Sequence, residues 1–272
     1  MTIKKFEQGR FVLKRADLPL VFIHINKTAG TSFGNSLFSL FKDENISRPY
    51  RGDFSTMNLH DPNNRLFHGH MLSSRWLANG IPGHMICMLR NPLDRVISQY
   101  KSFREIKNAA DAALWVDNKN GKEALKIART SSFDEFLLSD NQQIMGHIDN
   151  LQVQFLSKDG GRGYSSTKSA IEILENNFFF FGITEYYQNS LRLLSWQLGR
   201  RIEHGKHLNA SPVDIIEAKS DAAKAALNSY IFWDNFLYEA ACEIFRDRMK
   251  EFEFLNPEPP YDTFGLDPVP DL

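Results

Sequence analysis

Apolar positions fall into short unbroken runs, each followed by a turn and then by apolar residues at helical spacing. Residues 18–26, LPLVFIHIN, are dense in β-branched and aromatic types. KTAGTS then supplies a turn, and FGNSLFSLF continues with helical periodicity. The pattern predicts strand, loop, helix. A second strand is predicted from Arg65-Leu66-Phe67-His68. A third is predicted over His84-Met85-Ile86-Cys87-Met88-Leu89, a continuous run suited to a strand covered on both faces. Pro92 fits a first helical turn, and Leu93, Val96, Ile97 and Tyr100 share one face of the helix it opens. Further on, NNFFFFGIT gives a strand over Phe178 to Ile183, where Gly182 marks a close approach. Leu191, Leu194 and Leu198 are the apolar stripe of the helix that follows. Strands alternating with helices predict an α/β fold with a central parallel sheet flanked by helices.

Residues 106–163 are helical in patches, AADAALWV, FDEFLLS and IDNLQVQFL, and end in the loop GGRG. This segment is expected to cap the active end of the sheet. Beyond Asn209 two helices are expected, IIEAKSDAAKAALNSYIFW and NFLYEAACEIFRDRMKEF. The tail from Glu251 holds five prolines and six acids with no basic residue, the composition of an extended strap or disordered end. With no internal repeat and no dividing linker, residues 1–272 read as one domain, its core over 18–250 and its tail over 251–272.

Composition narrows the function. The 272 residues, 42% of them hydrophobic, bury one substantial core. Lys and Arg number 32 against 33 Asp and Glu, a net charge of -1, which excludes a general attraction to nucleic acid or an anionic membrane. Any anion must be held by a local basic site. Cys87 and Cys242 lie far apart in apolar runs, so a disulfide framework is not expected. MTIKKFEQGRFVLKR lacks the apolar core of an export signal, and no apolar stretch is long enough to span a bilayer. The expected location is the cytoplasm, where the patterns at Asn45-Ile46-Ser47 and Asn209-Ala210-Ser211 are incidental to glycosylation.

Three sites carry candidate chemistry. Asn26, Lys27, Thr28, Ala29, Gly30, Thr31 and Ser32 lie between a buried strand and a helix N-terminus, where backbone N–H groups and the helix dipole favour an anion. The lysine precedes the only glycine, so this is not the nucleotide loop GxxxxGK[ST]. Read blandly, it is a strand–helix turn capped by Thr31. Arg90 leaves a strand end and Ser98 lies about two turns along the next helix, a cation and a hydroxyl able to grip a second phosphate. Arg95 is expected to pair with an acid or to cap the surface. His68-Gly69-His70 follows a strand and, if extended, turns both imidazoles to one face, with Gly69 leaving room for a partner. A base beside a hydroxyl fits that pattern. Two zinc ligands also fit it, without a third at motif spacing. His24, inside the first strand, reads as a buried hydrogen-bonded residue.

Taken in order, HINKTAGTSF, LFHGHM, MLRNPLDRVISQY, DNLQVQFLS, FFFFGITEYYQNSLRLL and HLNAS resemble the carbohydrate sulfotransferases, in particular the uronyl and heparan sulfate 2-O-sulfotransferase branch, over residues 18–240. The resemblance implies a P-loop-like three-layer α/β fold and transfer of a sulfuryl group from 3′-phosphoadenosine 5′-phosphosulfate (PAPS) to a hydroxyl of a carbohydrate acceptor. It implies that Lys27 to Ser32 hold the 5′-phosphosulfate and that Arg90 and Ser98 hold the 3′-phosphate. His70 would be the general base, with His68 supporting it. Lys206, Asn209 and Ser211 would belong to a loop closing over the nucleotide, and Gly182 to Glu185 to a late strand–helix junction. Asn26 stands where many members have proline, and Ala29 where glycine is common. The animal enzymes are membrane-anchored and disulfide-bonded, so the match points to a soluble bacterial-type relative working without a metal ion. Two other readings stay open on the residues alone: a P-loop-like kinase, and a non-catalytic nucleotide- or glycan-binding protein.

Overall fold

The computed structural model describes residues 18–48, 57–106, 119–202 and 216–255. Five parallel strands form one sheet in the order β2-β3-β1-β4-β5: β1 Leu20–Ile23, β2 Ile46–Ser47, β3 Leu66–Gly69, β4 His84–Leu89 and β5 Phe178–Ile183. All four residues of β1 are buried, as its unbroken apolar run predicts for the middle strand of a covered sheet. The two-residue edge strand β2 has no hydrophobic run of its own and was not legible in the sequence. Gly182 makes the close approach expected of it, since a Cβ there would lie 2.6 Å from Met88 Sδ and 2.7 Å from Ser190 Cβ.

Ten α-helices are described: α1 Gly30–Phe38, α2 Ser73–Ala78, α3 Pro92–Glu105, α4 Lys119–Thr130, α5 Phe133–Leu137, α6 Gln142–Ile148, α7 Leu151–Leu156, α8 Tyr164–Asn176, α9 Tyr187–Leu198 and α10 Asp221–Leu255. Pro92 stands in the first turn of α3, and the Asn91 carboxamide oxygen caps it by accepting from the N–H groups of Leu93 and Asp94. Helices flank the sheet around one core, which Phe22, Phe33, Phe180, Leu194 and Phe245 share. A second core, built from Val96, Phe103, Ala128, Phe136, Ile148 and Leu227, joins α3 to α4, α5, α6 and the start of α10.

Two expectations change. The C-terminal segment is one helix of 35 residues in place of two, and it runs to Leu255, so the start of the presumed tail is helical. The stretch AADAALWV and residues 256–272 lie outside the described residues.

Candidate active site

Register decides what meets at the carboxyl end of the sheet. Ile23 pairs with Gly69, so His24 and His70 emerge side by side, and Leu89 pairs with Ile183, so Arg90 and Thr184 emerge together. These ends line one cleft with Asn26, Lys27, Ala29, Gly30, Thr31 and Ser32 of the β1–α1 loop and with Ser98, Lys101, Ser102 and Glu105 of α3. Open parallel sheets bind ligands at such carboxyl ends, where the strand order reverses direction. Here the reversal falls beside β1, the central strand.

The loop is wound to present its backbone. Lys27 and Ala29 adopt left-handed φ values of 69° and 59°, conformations that persist only where the surroundings enforce them. The Thr28 hydroxyl supplies part of that enforcement by donating to the Ile25 carbonyl at 2.9 Å. Thr28 is fully buried, with its hydroxyl turned to Ile25 and away from the cleft lining. Ala29, not Thr31, occupies the N-cap of α1, and no side chain caps that helix. The leading N–H groups of a helix have no intrahelical partner, so an uncapped first turn facing a cleft suits an anion.

Arg90 lies against the loop, its Nη1 donating to the Lys27 carbonyl at 3.2 Å. Burial lowers the pKa of Lys27, the neighbouring Arg90 lowers it further, and Glu105 opposes both. Two cations held this close disfavour each other, and an anion between them relieves the strain. The Arg90 backbone is fixed from α7. Gln152 accepts the Arg90 N–H and donates to its carbonyl, both at 2.9 Å. The Asn91 N–H donates to Glu185 Oε1 at 2.9 Å, and Tyr238 Oη donates to the other carboxylate oxygen at 2.8 Å.

α7 is fixed in turn by α10. Asp234 caps it, accepting from the N–H groups of Val153 at 2.8 Å and Gln152 at 3.2 Å. Asn150, with φ 44°, is wedged into α10: its Oδ1 accepts from the N–H groups of Trp233 and Asp234, its Nδ2 donates to the Ser229 carbonyl, and its own N–H donates to the Tyr230 carbonyl. In a regular helix residues 229 and 233, and 230 and 234, bond to each other; a side chain inserted there interrupts the ladder. Arg95 is fully buried, donating to the carbonyls of His147 and Ile148 with its Nε 3.9 Å from Asp234 Oδ2, so it pairs with an acid as expected but inside the protein.

The histidines form a stack. His24 lies between His70, with ring centroids 4.2 Å apart, and His68, whose Nε2 is 3.1 Å from His24 Nδ1. His70 lines the cleft. His68 lies behind His24, beside Phe38, rather than facing the cleft with its neighbour. His70 Nδ1 is 2.7 Å from the His24 carbonyl, which can only accept, so the proton of the neutral ring resides on Nδ1 and Nε2 keeps its lone pair. Desolvation by the surrounding protein lowers all three pKa values, His24 well below the usual range and His68 to about 4, and least at His70, whose side chain reaches solvent in the cleft. At His70 the bond to the carbonyl works against that lowering.

A sequence model described as the sulfotransferase family matches residues 10–202, well over half of the chain. The chain belongs to the sulfotransferase family. No curated protein matches it. Among solved structures, mouse sulfotransferase SULT7A1 complexed with PAP matches at 15% identity with a TM-score of 0.41, over 89% of this chain and 90% of that one.

Within this sulfotransferase-family chain, the cleft gathers Lys27, Ala29, Gly30, Thr31, Ser32, His70, Arg90 and Ser98 of the sequence-based set. Asn209 and Ser211, with Lys206, lie outside the described residues. Sequence reasoning missed His24, Lys101, Ser102, Glu105 and Thr184. Lys101 and Ser102 were within reach of it, because they stand three and four residues after Ser98 on the same helix face. No group of three or more His, Cys, Asp or Glu among the described residues could hold a metal ion, and no described helix is long and apolar enough to cross a membrane.

Proposed function

We propose that the cleft transfers the sulfuryl group of PAPS to an acceptor hydroxyl, with a carbohydrate as the acceptor. The observation that carries this reading is the meeting of Lys27, Arg90, Ser98 and His70 in one cleft at the carboxyl end of the sheet. The donor set fits a bisphosphorylated nucleotide: one cation at an uncapped helix N-terminus, a second cation beside it, and a hydroxyl face on α3. The carbohydrate assignment draws on the likeness of the loop and His-Gly-His motifs to the uronyl and heparan sulfate branch. The unpaired Cys87 and Cys242 suit a reducing compartment, which we take to be the cytoplasm.

An acceptor hydroxyl is a weak nucleophile, and His70 Nε2 takes its proton as the acceptor oxygen bonds to sulfur. The bond from sulfur to the oxygen bridging it to the 5′-phosphate breaks, and its electron pair stays on the departing phosphate. Lys27 and the N–H groups of the loop hold that growing charge. Arg90 and Ser98 hold the 3′-phosphate. Ser102 and Lys101 line the cleft from the same face of α3.

The test is stabilisation by 3′-phosphoadenosine 5′-phosphate (PAP) compared with ATP and magnesium. At about 100 times its dissociation constant PAP adds about 2.7 kcal/mol. A shift with PAP that disappears in Arg90→Ala supports the donor site. A shift with ATP and none with PAP overturns it.

A further inference from the structure

His24 joins the strand end that carries His70 to the loop that carries Gly30. Its N–H donates to the Gly69 carbonyl at 2.9 Å, which fixes its backbone to the strand that delivers His70. Its own carbonyl accepts from His70 Nδ1 at 2.7 Å, and its ring lies nearly parallel to that of His70, 29° between planes. On the other side the ring contacts Phe22 and His68. Its Nε2 edge lies against Gly30 of the anion loop, so closely that a Cβ at Gly30 would overlap the imidazole.

We propose that His24 is a positioning residue for His70, clamping the base in register with the anion loop. Its kinetic consequences rest on the sulfuryl-transfer reading, and its structural ones on geometry alone. To turn away, His70 must give up both a hydrogen bond and a stacked face. A misplacement of about 1 Å at a reacting group costs on the order of 100-fold in rate. When His70 Nε2 takes the acceptor proton, its Nδ1–H bond to the His24 carbonyl becomes charge-assisted, and the imidazolium faces a neutral aromatic ring. Burial keeps His24 neutral, so it does not compete for that proton. The charged and titratable groups around His70 are His24, His68 and His147, with Lys27, Arg90, Lys101 and Glu105 in the same cleft.

The test compares wild type with His24→Ala and with His24→Asn, which keeps a polar group beside His68 but removes the stack. Three readouts are taken: thermal stabilisation by PAP, transfer from radiolabelled PAPS to desulfated heparin across pH, and imidazole proton–nitrogen spectra. Both variants should lose about 100-fold in kcat while PAP stabilisation and the KM for PAPS change far less. The acidic limb of kcat should move up towards the ordinary histidine value of about 6.5, because the His70 ring gains water. The carbonyl of residue 24 remains in both variants, so a mixture of His70 tautomers in the spectra reports the ring turning away from it once the stack is lost. Wild-type kcat and an unmoved limb in both variants would overturn the inference. If wild type neither binds PAP nor transfers sulfate, the functional reading fails instead, and the spectra decide: an unchanged His70 tautomer in His24→Ala sinks the clamp, a changed one sustains it.

Discussion

Gln152 holds the backbone of Arg90 from both sides, accepting its N–H and donating to its carbonyl through one carboxamide, each at 2.9 Å. Gln152 is fully buried and contributes no atom to the cleft lining. Gln152→Ala strands two buried backbone groups and frees Arg90 to drift. The expected result is a loss of about tenfold in PAP affinity, equivalent to about 1.4 kcal/mol, by titration calorimetry. Unchanged affinity would mean that the guanidinium is fixed by its bond to the Lys27 carbonyl alone.

Removing the proposed base should separate chemistry from binding. His70→Ala is expected to lower turnover by about 100- to 10,000-fold while leaving PAP stabilisation intact. A variant with full activity would transfer the role of base to another group in the cleft.

Wild-type turnover is expected to be unaffected by EDTA. The sulfuryl group carries less charge than a terminal phosphoryl group, and Lys27 with Arg90 supplies the cationic environment. A requirement for magnesium in the same assay would contradict this.

Acid should loosen the fold through its buried histidines. His68 and His147 are both lowered to about 4 and His24 lies well below its ordinary value, whereas the unfolded chain titrates near 6.5. The unfolded state therefore binds more protons below about pH 6.5. The stability these rings contribute is complete above that pH and is lost as pH falls towards 4, by up to about 1.4 kcal/mol per unit for each ring. Asp234, pushed up to about 6 by burial, and Glu251, also raised by burial, act in the opposite sense, against four lowered histidines. Melting temperatures measured between pH 7.5 and 4.5 should fall steadily. A flat profile would mean that these rings are hydrated in both states.

The Asn150 side chain makes three hydrogen bonds to α10, so Asn150→Ala should be among the most damaging substitutions outside the apolar core. A loss of about 3 kcal/mol is expected in denaturant unfolding. A loss below about 0.5 kcal/mol would mean that residues 229 to 234 of α10 recover their own ladder once the wedge is removed.

Much of this was legible from local pattern. Continuous apolar runs gave β1, β4 and β5, Pro92 marked the start of α3, and the order of loop, His-Gly-His and arginine-to-serine spacing assembled most of the cleft. What stayed hidden depends on contacts between distant segments. His24 resembles any polar residue interrupting a strand until the pairing of Ile23 with Gly69 sets it beside His70. Asn150 and Gln152 stand in a motif whose likeness to relatives was visible, yet their partners lie 62 or more residues away. The division of α10 into two helices failed because residues 229–234 carry no breaking residue; the interruption comes from Asn150, in another part of the chain.

α10 begins beyond residue 202, where the family match stops, yet its Asp234 caps the helix that carries Gln152. A protein shortened to end after Ile202 would retain every cleft side chain named above and still lose the grip on Arg90. Fragment libraries, domain grafts and chimeras cut at the limit of recognisable sequence would therefore deliver an intact set of cleft residues on an unsupported frame.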